Sequence, residues 1–310
     1  MCGIICTIPG NLDLTISILE ILEEYVGGRN AFRLLGNMGG SGTGLMRLLD
    51  HRLSRIRSSS FARDAFEKAQ DAGWRGEEIL IGHTRFSDII VPVEERFVHP
   101  YSDCNNSIYV VHNGAVNDYE QRYSLLSKQG HQFKTVNQGG IVDSEVLPHL
   151  LEDELKKKGV GIENVIGAGR DILERLGKAT YEEGLGIFLS LIEGLNAVLV
   201  VHHIHSWGNT LKFWIRHDVN HDVLAISTYN VFPQRQIVLE PPPYGGANLE
   251  EMNNRLDNLM RTQGFDEIGY AKRGVVFAVT PKHTVVSLYR EKLKEERINE
   301  CDLIASSIKL

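Results

Sequence analysis

Short apolar runs broken by polar or glycine-containing segments recur along the whole chain. The runs CGIICTI at 2–8, ILIGH at 79–83, IYVVH at 108–112, NAVLVVHHI at 196–204, LKFWIR at 211–216, VLAIST at 223–228, GVVFAV at 274–279 and HTVVSL at 283–288 predict strands. Leu14, Ile18, Leu19, Leu22 and Tyr25 fall at helical spacing and predict a helix over 14–26, closed by Gly27-Gly28. Further helices are expected within 61–77 and over 117–129, 143–159, 163–177, 181–194, 249–262 and about 289–297. The polar turns Ser206-Trp207-Gly208-Asn209 and Asp218-Val219-Asn220-His221 join successive strands, so the sheets are expected to be mainly antiparallel. One domain over 1–290 with a C-terminal helix or tail over 291–310 accommodates these elements.

Composition narrows the class. The 310 residues are 42% hydrophobic and 24% charged, the balance of a globular enzyme with a sizeable core. The net charge of −7 is spread along the chain, with no basic face, so nucleic acid is not an expected partner. The opening segment lacks a basic n-region and carries Pro9, Asn11 and Asp13, which argues against a signal peptide. No apolar run approaches the roughly 18–20 residues of a membrane span. Four scattered cysteines without a C-x-x-C pair read as reduced thiols in a cytoplasmic protein.

Candidate chemistry begins at Met1-Cys2-Gly3-Ile4. Removal of Met1 would leave Cys2 at the amino terminus, where one residue supplies a thiol nucleophile and an α-amine of ordinary pKa about 7.7–8.0 to shuttle its proton. The plain alternative is that Cys2 is a small apolar start to a strand. The glycine-dense stretch Gly36 to Gly44 fits neither phosphate-loop pattern and reads as a loop that turns sharply or approaches a ligand closely. Asn113-Gly114 reads equally as a hairpin turn. Asp143 reads as a helix N-cap. His202, His203, His205, His217 and His221 lack carboxylates at ligand spacing and strand alternation splits them between faces, so no metal is expected there, nor any cofactor elsewhere.

Five short motifs stand in order: Met1-Cys2-Gly3-Ile4, Gly82-His83-Thr84-Arg85-Phe86, His99-Pro100-Tyr101, Val111-His112-Asn113-Gly114 and Val142-Asp143-Ser144-Glu145. Together they resemble the class II glutamine amidotransferases of the N-terminal nucleophile hydrolase superfamily. The resemblance implies an α+β fold, a four-layer α/β/β/α sandwich with two mainly antiparallel sheets. It implies attack by Cys2 on the side-chain amide of L-glutamine, with the Asn113 amide and the Gly114 N–H as oxyanion donors. Arg85 would grip the substrate α-carboxylate as a bidentate fork and Asp143 its α-ammonium, while Phe86 and His99 would line the pocket.

Two departures from the family pattern stand out. Met38 to Gly44 lacks an arginine and an acid usual in that loop, and Ser87-Asp88-Ile89 replaces small-Thr-His. About 20 residues follow the last predicted strand, too few for the fused synthase, isomerase or transferase domains of familiar relatives, so the expectation is a free-standing glutaminase subunit, glutamate-synthase-like by analogy, that hands ammonia to a separate acceptor subunit. The rival expectations are a non-catalytic regulatory subunit that kept the fold, and an N-terminal-cysteine hydrolase of another amide, against which the Arg85 and Asp143 pair argues.

Overall fold

Strand β1 (Gly3–Ile8) is buried along its whole length, which is why all but one of its residues are apolar or glycine. The computed structural model describes residues 2–25, 42–50, 52–77, 79–85, 94–113, 116, 118–136, 141–158, 186–193, 196–203, 209–219, 222–230, 249–270, 275–279 and 284–288. They fall into two compact units, each assembled from separated stretches: residues 1–100 with 206–270, and residues 101–205 with 271–310.

The first unit holds β1, β2 (Gly10–Asn11), β3 (Thr43–Leu49), β4 (Arg52–Ser58), β5 (Gly76–Glu77), β6 (Ile79–Thr84), β11 (Asn209–His217), β12 (Asp222–Asn230) and β13 (Asp266–Tyr270). Seven of these form one sheet in the order β13-β11-β12-β1-β6-β3-β4, every pairing antiparallel. Helices α1 (Leu12–Tyr25), α2 (Ala62–Asp71) and α5 (Leu249–Thr262) share a core with this sheet, in which Ile18, Leu19 and Leu22 meet Ile5, Leu80, Trp214 and Met252. The start of α1 is fixed by Asn11, whose Oδ1 accepts the Leu14 N–H at 2.9 Å and so satisfies one of the helix's unpaired donors.

The second unit carries β7 (Tyr101–Ser102), β8 (Ile108–Asn113), β9 (Gly186–Glu193), β10 (Asn196–His203), β14 (Val275–Val279) and β15 (Thr284–Leu288), in the order β15-β14-β9-β10-β8-β7. Pairings β10/β8 and β14/β9 are parallel and the others antiparallel. Helices α3 (Tyr119–Lys128) and α4 (Val146–Lys158) belong to it, and α4 buries Val146, Leu147, Leu150, Leu151 and Leu155. With the small antiparallel pair β2/β5 set aside, the architecture of the described residues is α+β with two mainly antiparallel sheets, as expected.

Most predicted strands and the helices at 14–26, 117–129 and 249–262 match within a few residues. The helix expected over 181–194 is instead strand β9, inserted between β14 and β10. Its apolar run Ile187 to Ile192 is too short for periodicity to separate a buried strand from a helix, and Gly184, Gly186 and Gly194 around it are the better signal. The turn at 206–209 is not a hairpin, since β10 and β11 belong to different sheets, whereas β11 and β12 do pair as one. The hairpin β3/β4 was not anticipated: Gly44 lies inside β3, not in a loop, and the close approach it permits is to backbone. The expected helices at 163–177 and 289–297, and the loop through residue 41, lie outside the described residues. Among the described residues, no helix is long and apolar enough to cross a membrane.

Candidate active site

In the first unit the site residues are set by strand register. Gly3 pairs with Thr84, so Cys2, just before β1 and half-buried, and Arg85, just after β6, are the next residues at the same end of two paired strands. Gly3 is required there because a Cβ would lie 2.6 Å from Leu22 Cβ on α1 and 2.7 Å from Thr84 Cγ2. Without a side chain at residue 3, α1 packs directly on the strand that carries the thiol. Burial pushes the thiol of Cys6, four residues on, well above its ordinary range, which keeps it protonated and unreactive.

Arg85 is tied to the neighbouring strand end by its N–H, which donates to Gly42 O at 2.8 Å. Its guanidinium Nη1 is buried and finds no hydrogen-bond acceptor among the described residues. His83, in register with Ile4 and Gly44, stacks its ring on His99 with centroids 4.0 Å apart. A Cβ on Gly44 would lie 1.7 Å from His99 O, so the backbone of the buried His99 rests on β3 itself. The His99-Pro100 peptide is cis.

In the second unit, β8 ends on the buried Asn113. Asp143 opens a short 3-10 turn, Asp143–Glu145, ahead of α4. Its Oδ2 accepts the Val116 N–H at 2.8 Å and its Oδ1 the Ser144 hydroxyl at 3.2 Å. Since Ser144 donates to Asp143, it accepts from His112 Nδ1 at 2.8 Å, which fixes that ring's tautomer. Asp143 thus holds Val116 as well as the turn, and the N-cap position, the alternative reading of this residue, falls to Val142. Glu145, the last residue of the motif, accepts Lys134 N, Thr135 N and Thr135 Oγ1 at 2.7, 2.9 and 2.6 Å, a structural clasp.

Cys2, Arg85 and His99 therefore lie in the first unit, Asn113 and Asp143 in the second; Phe86 and Gly114 lie outside the described residues, as does Ser87 to Ile89. Sequence reasoning passed over three buried supports, His83, His112 and Ser144. Each sits inside one of the five motifs, His112 and Ser144 beside a candidate residue and His83 two positions before Arg85, and that proximity was the available signal. Of the five histidines weighed for metal, His217 binds Asp222 Oδ1 at 2.7 Å, and the side chains of the other four lie outside the described residues.

No family model matches the chain. It is 44% identical over 84 residues to a glutamine–fructose-6-phosphate aminotransferase of Methanocaldococcus jannaschii, covering 27% of this chain and 7% of that protein. It is 28% identical over 157 residues to the enzyme of that name from Sulfolobus acidocaldarius, covering 51% of this chain and 24% of the relative. Among solved structures, glutamine phosphoribosylpyrophosphate amidotransferase from B. subtilis superposes with a TM-score of 0.56 at 13% identity, covering 94% of this chain and 50% of that one. A second structure, described as the allosteric regulatory enzyme of purine biosynthesis, gives 0.56 at 13% over 95% and 50%. The chain thus spans half the length of these structures and under a quarter of the curated relatives' length. The chain is thus similar over part of its sequence to glutamine–fructose-6-phosphate aminotransferases and shares its fold with a glutamine phosphoribosylpyrophosphate amidotransferase, a likeness that supports a class II glutamine amidotransferase domain.

Proposed function

We propose that the chain hydrolyses L-glutamine to glutamate and ammonia in the cytoplasm. The Cys2 thiol, exposed at the amino terminus once Met1 is removed, attacks the side-chain amide carbon. A C–S bond forms, the C–N bond breaks, and the thiol proton passes through the α-amine to the leaving nitrogen, which departs as ammonia. Water then attacks the thioester: a C–O bond forms, the C–S bond breaks, and a proton returns to sulfur. Arg85 and Asp143 hold the α-carboxylate and α-ammonium, and the family pattern gives Asn113 and Gly114 the oxyanion. His99 and Phe86 line the glutamine pocket. No cofactor is required for these steps.

The observation that supports this reading is the β1/β6 register, whose last pair, Gly3 and Thr84, is followed at the same end by Cys2 and by Arg85, an arginine whose guanidinium retains a buried donor. A buried N–H of that kind is well satisfied by a carboxylate. In the names of the relatives glutamine is coupled to a second substrate, fructose 6-phosphate or phosphoribosyl pyrophosphate. By that analogy the ammonia made here passes, shielded from water, to an acceptor site on a partner subunit.

The test is a glutaminase assay on Met1-processed protein, with and without co-purifying partners. Glutamate release should vanish in Cys2→Ala, and Arg85→Ala and Asp143→Ala should raise KM for glutamine sharply. Asn113→Ala should lower kcat by roughly 10²–10³-fold, the usual effect of losing one oxyanion donor. Undiminished turnover in Cys2→Ala overturns the mechanism.

A further inference from the structure

A second cluster lies within the second unit and plays no part in the proposed hydrolysis. The turn between β7 and β8 carries Cys104, the segment leaving α3 carries His131, and one face of α4 carries His149 and Glu152 at i, i+3 spacing. One atom of each, Cys104 Sγ, His131 Nδ1, His149 Nδ1 and a Glu152 carboxylate oxygen, lies within 4.8 Å of all the others. Cys104 Sγ is 3.6 Å from His131 Nδ1 and 3.7 Å from His149 Nδ1. The two Nδ1 atoms are 3.2 Å apart, and Glu152 Oε2 is 3.1 and 3.5 Å from them.

These are five of the six edges of a tetrahedron of donor atoms, the sixth, from Cys104 Sγ to the Glu152 carboxylate, being no longer than 4.8 Å. A zinc ion with arms of about 2.3 Å to sulfur and about 2.0–2.2 Å to nitrogen and oxygen places its ligands roughly 3.3–3.6 Å apart. Around His131, Glu152 and Cys104 the neighbouring polar contacts are already made, as they are around bound metals, whereas His149 Nε2 is buried with no hydrogen-bond partner among the described residues. His131 Nε2 donates to Asp153 Oδ1 at 2.9 Å, Lys156 Nζ holds Glu152 Oε1 at 2.8 Å, and Gln132 N–H donates to Cys104 Sγ at 3.4 Å. With its Nε2 proton given to Asp153, a neutral His131 turns the Nδ1 lone pair inward, toward other lone pairs. A single added proton on that nitrogen serves one of its three neighbours. A cation serves all four groups at once.

We propose that Cys104, His131, His149 and Glu152 form a closed tetrahedral site for a divalent transition-metal ion of the zinc class. Four protein ligands fill the coordination shell, which marks a structural ion with no open position for chemistry. The thiolate and the carboxylate balance its charge. The ion ties the β7–β8 turn and the segment after α3 to α4, and so fixes the end of the unit from which β8 runs to Asn113.

The test uses the full chain. After chelation, reloading with Zn²⁺ alone and desalting, elemental analysis should find one zinc per chain, and the thermal midpoint should rise on reloading. Asp153→Asn, which leaves the four ligands in place, should weaken zinc binding about 10–100-fold. Reloading with Co²⁺ should give a tetrahedral ligand-field spectrum with a thiolate-to-cobalt charge-transfer band that C104S loses. Retention of no stoichiometric zinc overturns the proposal, as does a cobalt band unchanged in C104S. If C104S does not fold, the wild-type cobalt spectrum decides: an octahedral spectrum, or one without a thiolate band, is equally fatal.

Discussion

At the scale of single residues, the candidate site depends on atoms that are missing as much as on those present. Gly3 and Gly44 each stand where a methyl group would collide with something rigid, the Cβ of Leu22 and the carbonyl of His99 respectively. Neither obstacle is the far end of a flexible chain, so backbone has to move. Gly3→Ala and Gly44→Ala are each expected to destabilise the fold by about 1–3 kcal/mol, the usual range for overpacking, seen as a lower urea midpoint at unchanged slope. A midpoint equal to wild type would show that the close approach does not hold the strands. Ser144 is the second residue-scale device, since it links the buried His112 to Asp143. Ser144→Ala should raise KM for glutamine about 10-fold with little change in kcat, the effect of a hydrogen bond worth about 1–1.5 kcal/mol acting through Asp143. A loss confined to stability would make Ser144 a purely structural link.

At the scale of elements, two buried charges join helices to their surroundings. Helix α2 has Phe61 at its N-cap, with no side chain able to accept a hydrogen bond, and Glu23 of α1 substitutes for it: its Oε2 accepts the Ala62 N–H at 2.6 Å. A carboxylate at a helix N-terminus also meets the positive end of the helix dipole. Glu23→Ala is expected to lower stability by about 1–3 kcal/mol, and Glu23→Gln by clearly less, in chemical denaturation. Equal losses in the two variants would rule out the capping role. Lys212 of β11, 2% exposed, reaches Asp257 of α5 at 2.7 Å and Glu267 of β13 at 2.8 Å, with the rings of Tyr229, Tyr270 and Trp214 around it. Burial alone would lower its pKa, but the hydrogen bonds to Asp257 and Glu267 outweigh that and raise it above the ordinary 10.5. The folded state therefore binds this proton more tightly than the unfolded one. The resulting stabilisation is complete below about pH 10.4 and fades as pH rises through the raised value. Wild type should lose its advantage over Lys212→Met only in that alkaline window, and a difference that shrinks between pH 6 and 9 would sink this account.

At the scale of the whole molecule, each unit is closed by chain that arrives late. The central strand β1 pairs on one side with β6 and on the other with β12, Ile5 to Ile8 facing Leu224 to Ser227. A fragment of residues 1–205 would leave that edge of an apolar strand open, along with the core residues of α1 that meet Trp214, Leu256 and Met260. An unpaired, apolar sheet edge is a template for association. The fragment is expected to aggregate or lack a cooperative unfolding transition by circular dichroism and sedimentation, and a monomeric, cooperatively folding fragment would contradict this dependence. Long-range pairing of this kind also favours slow folding, because distant segments must meet before either sheet is complete.

Local pattern carried much of this. Most strands and helices α1, α3 and α5 could be read from residue spacing, because side-chain period is a property of neighbouring residues, while the roles given to Cys2, Arg85, His99, Asn113 and Asp143 come from a resemblance and are proposals. Strand β9 could not be read, because a six-residue apolar run becomes strand or helix according to what flanks it in space, here β14 and β10. The β3/β4 hairpin was hidden for a similar reason: Gly44, which suggests a loop, lies within β3 and admits the His99 backbone. Cys104, His131, His149 and Glu152 are separated by 27, 18 and 3 positions, intervals with no local period, so only the fold could bring their donor atoms to one point.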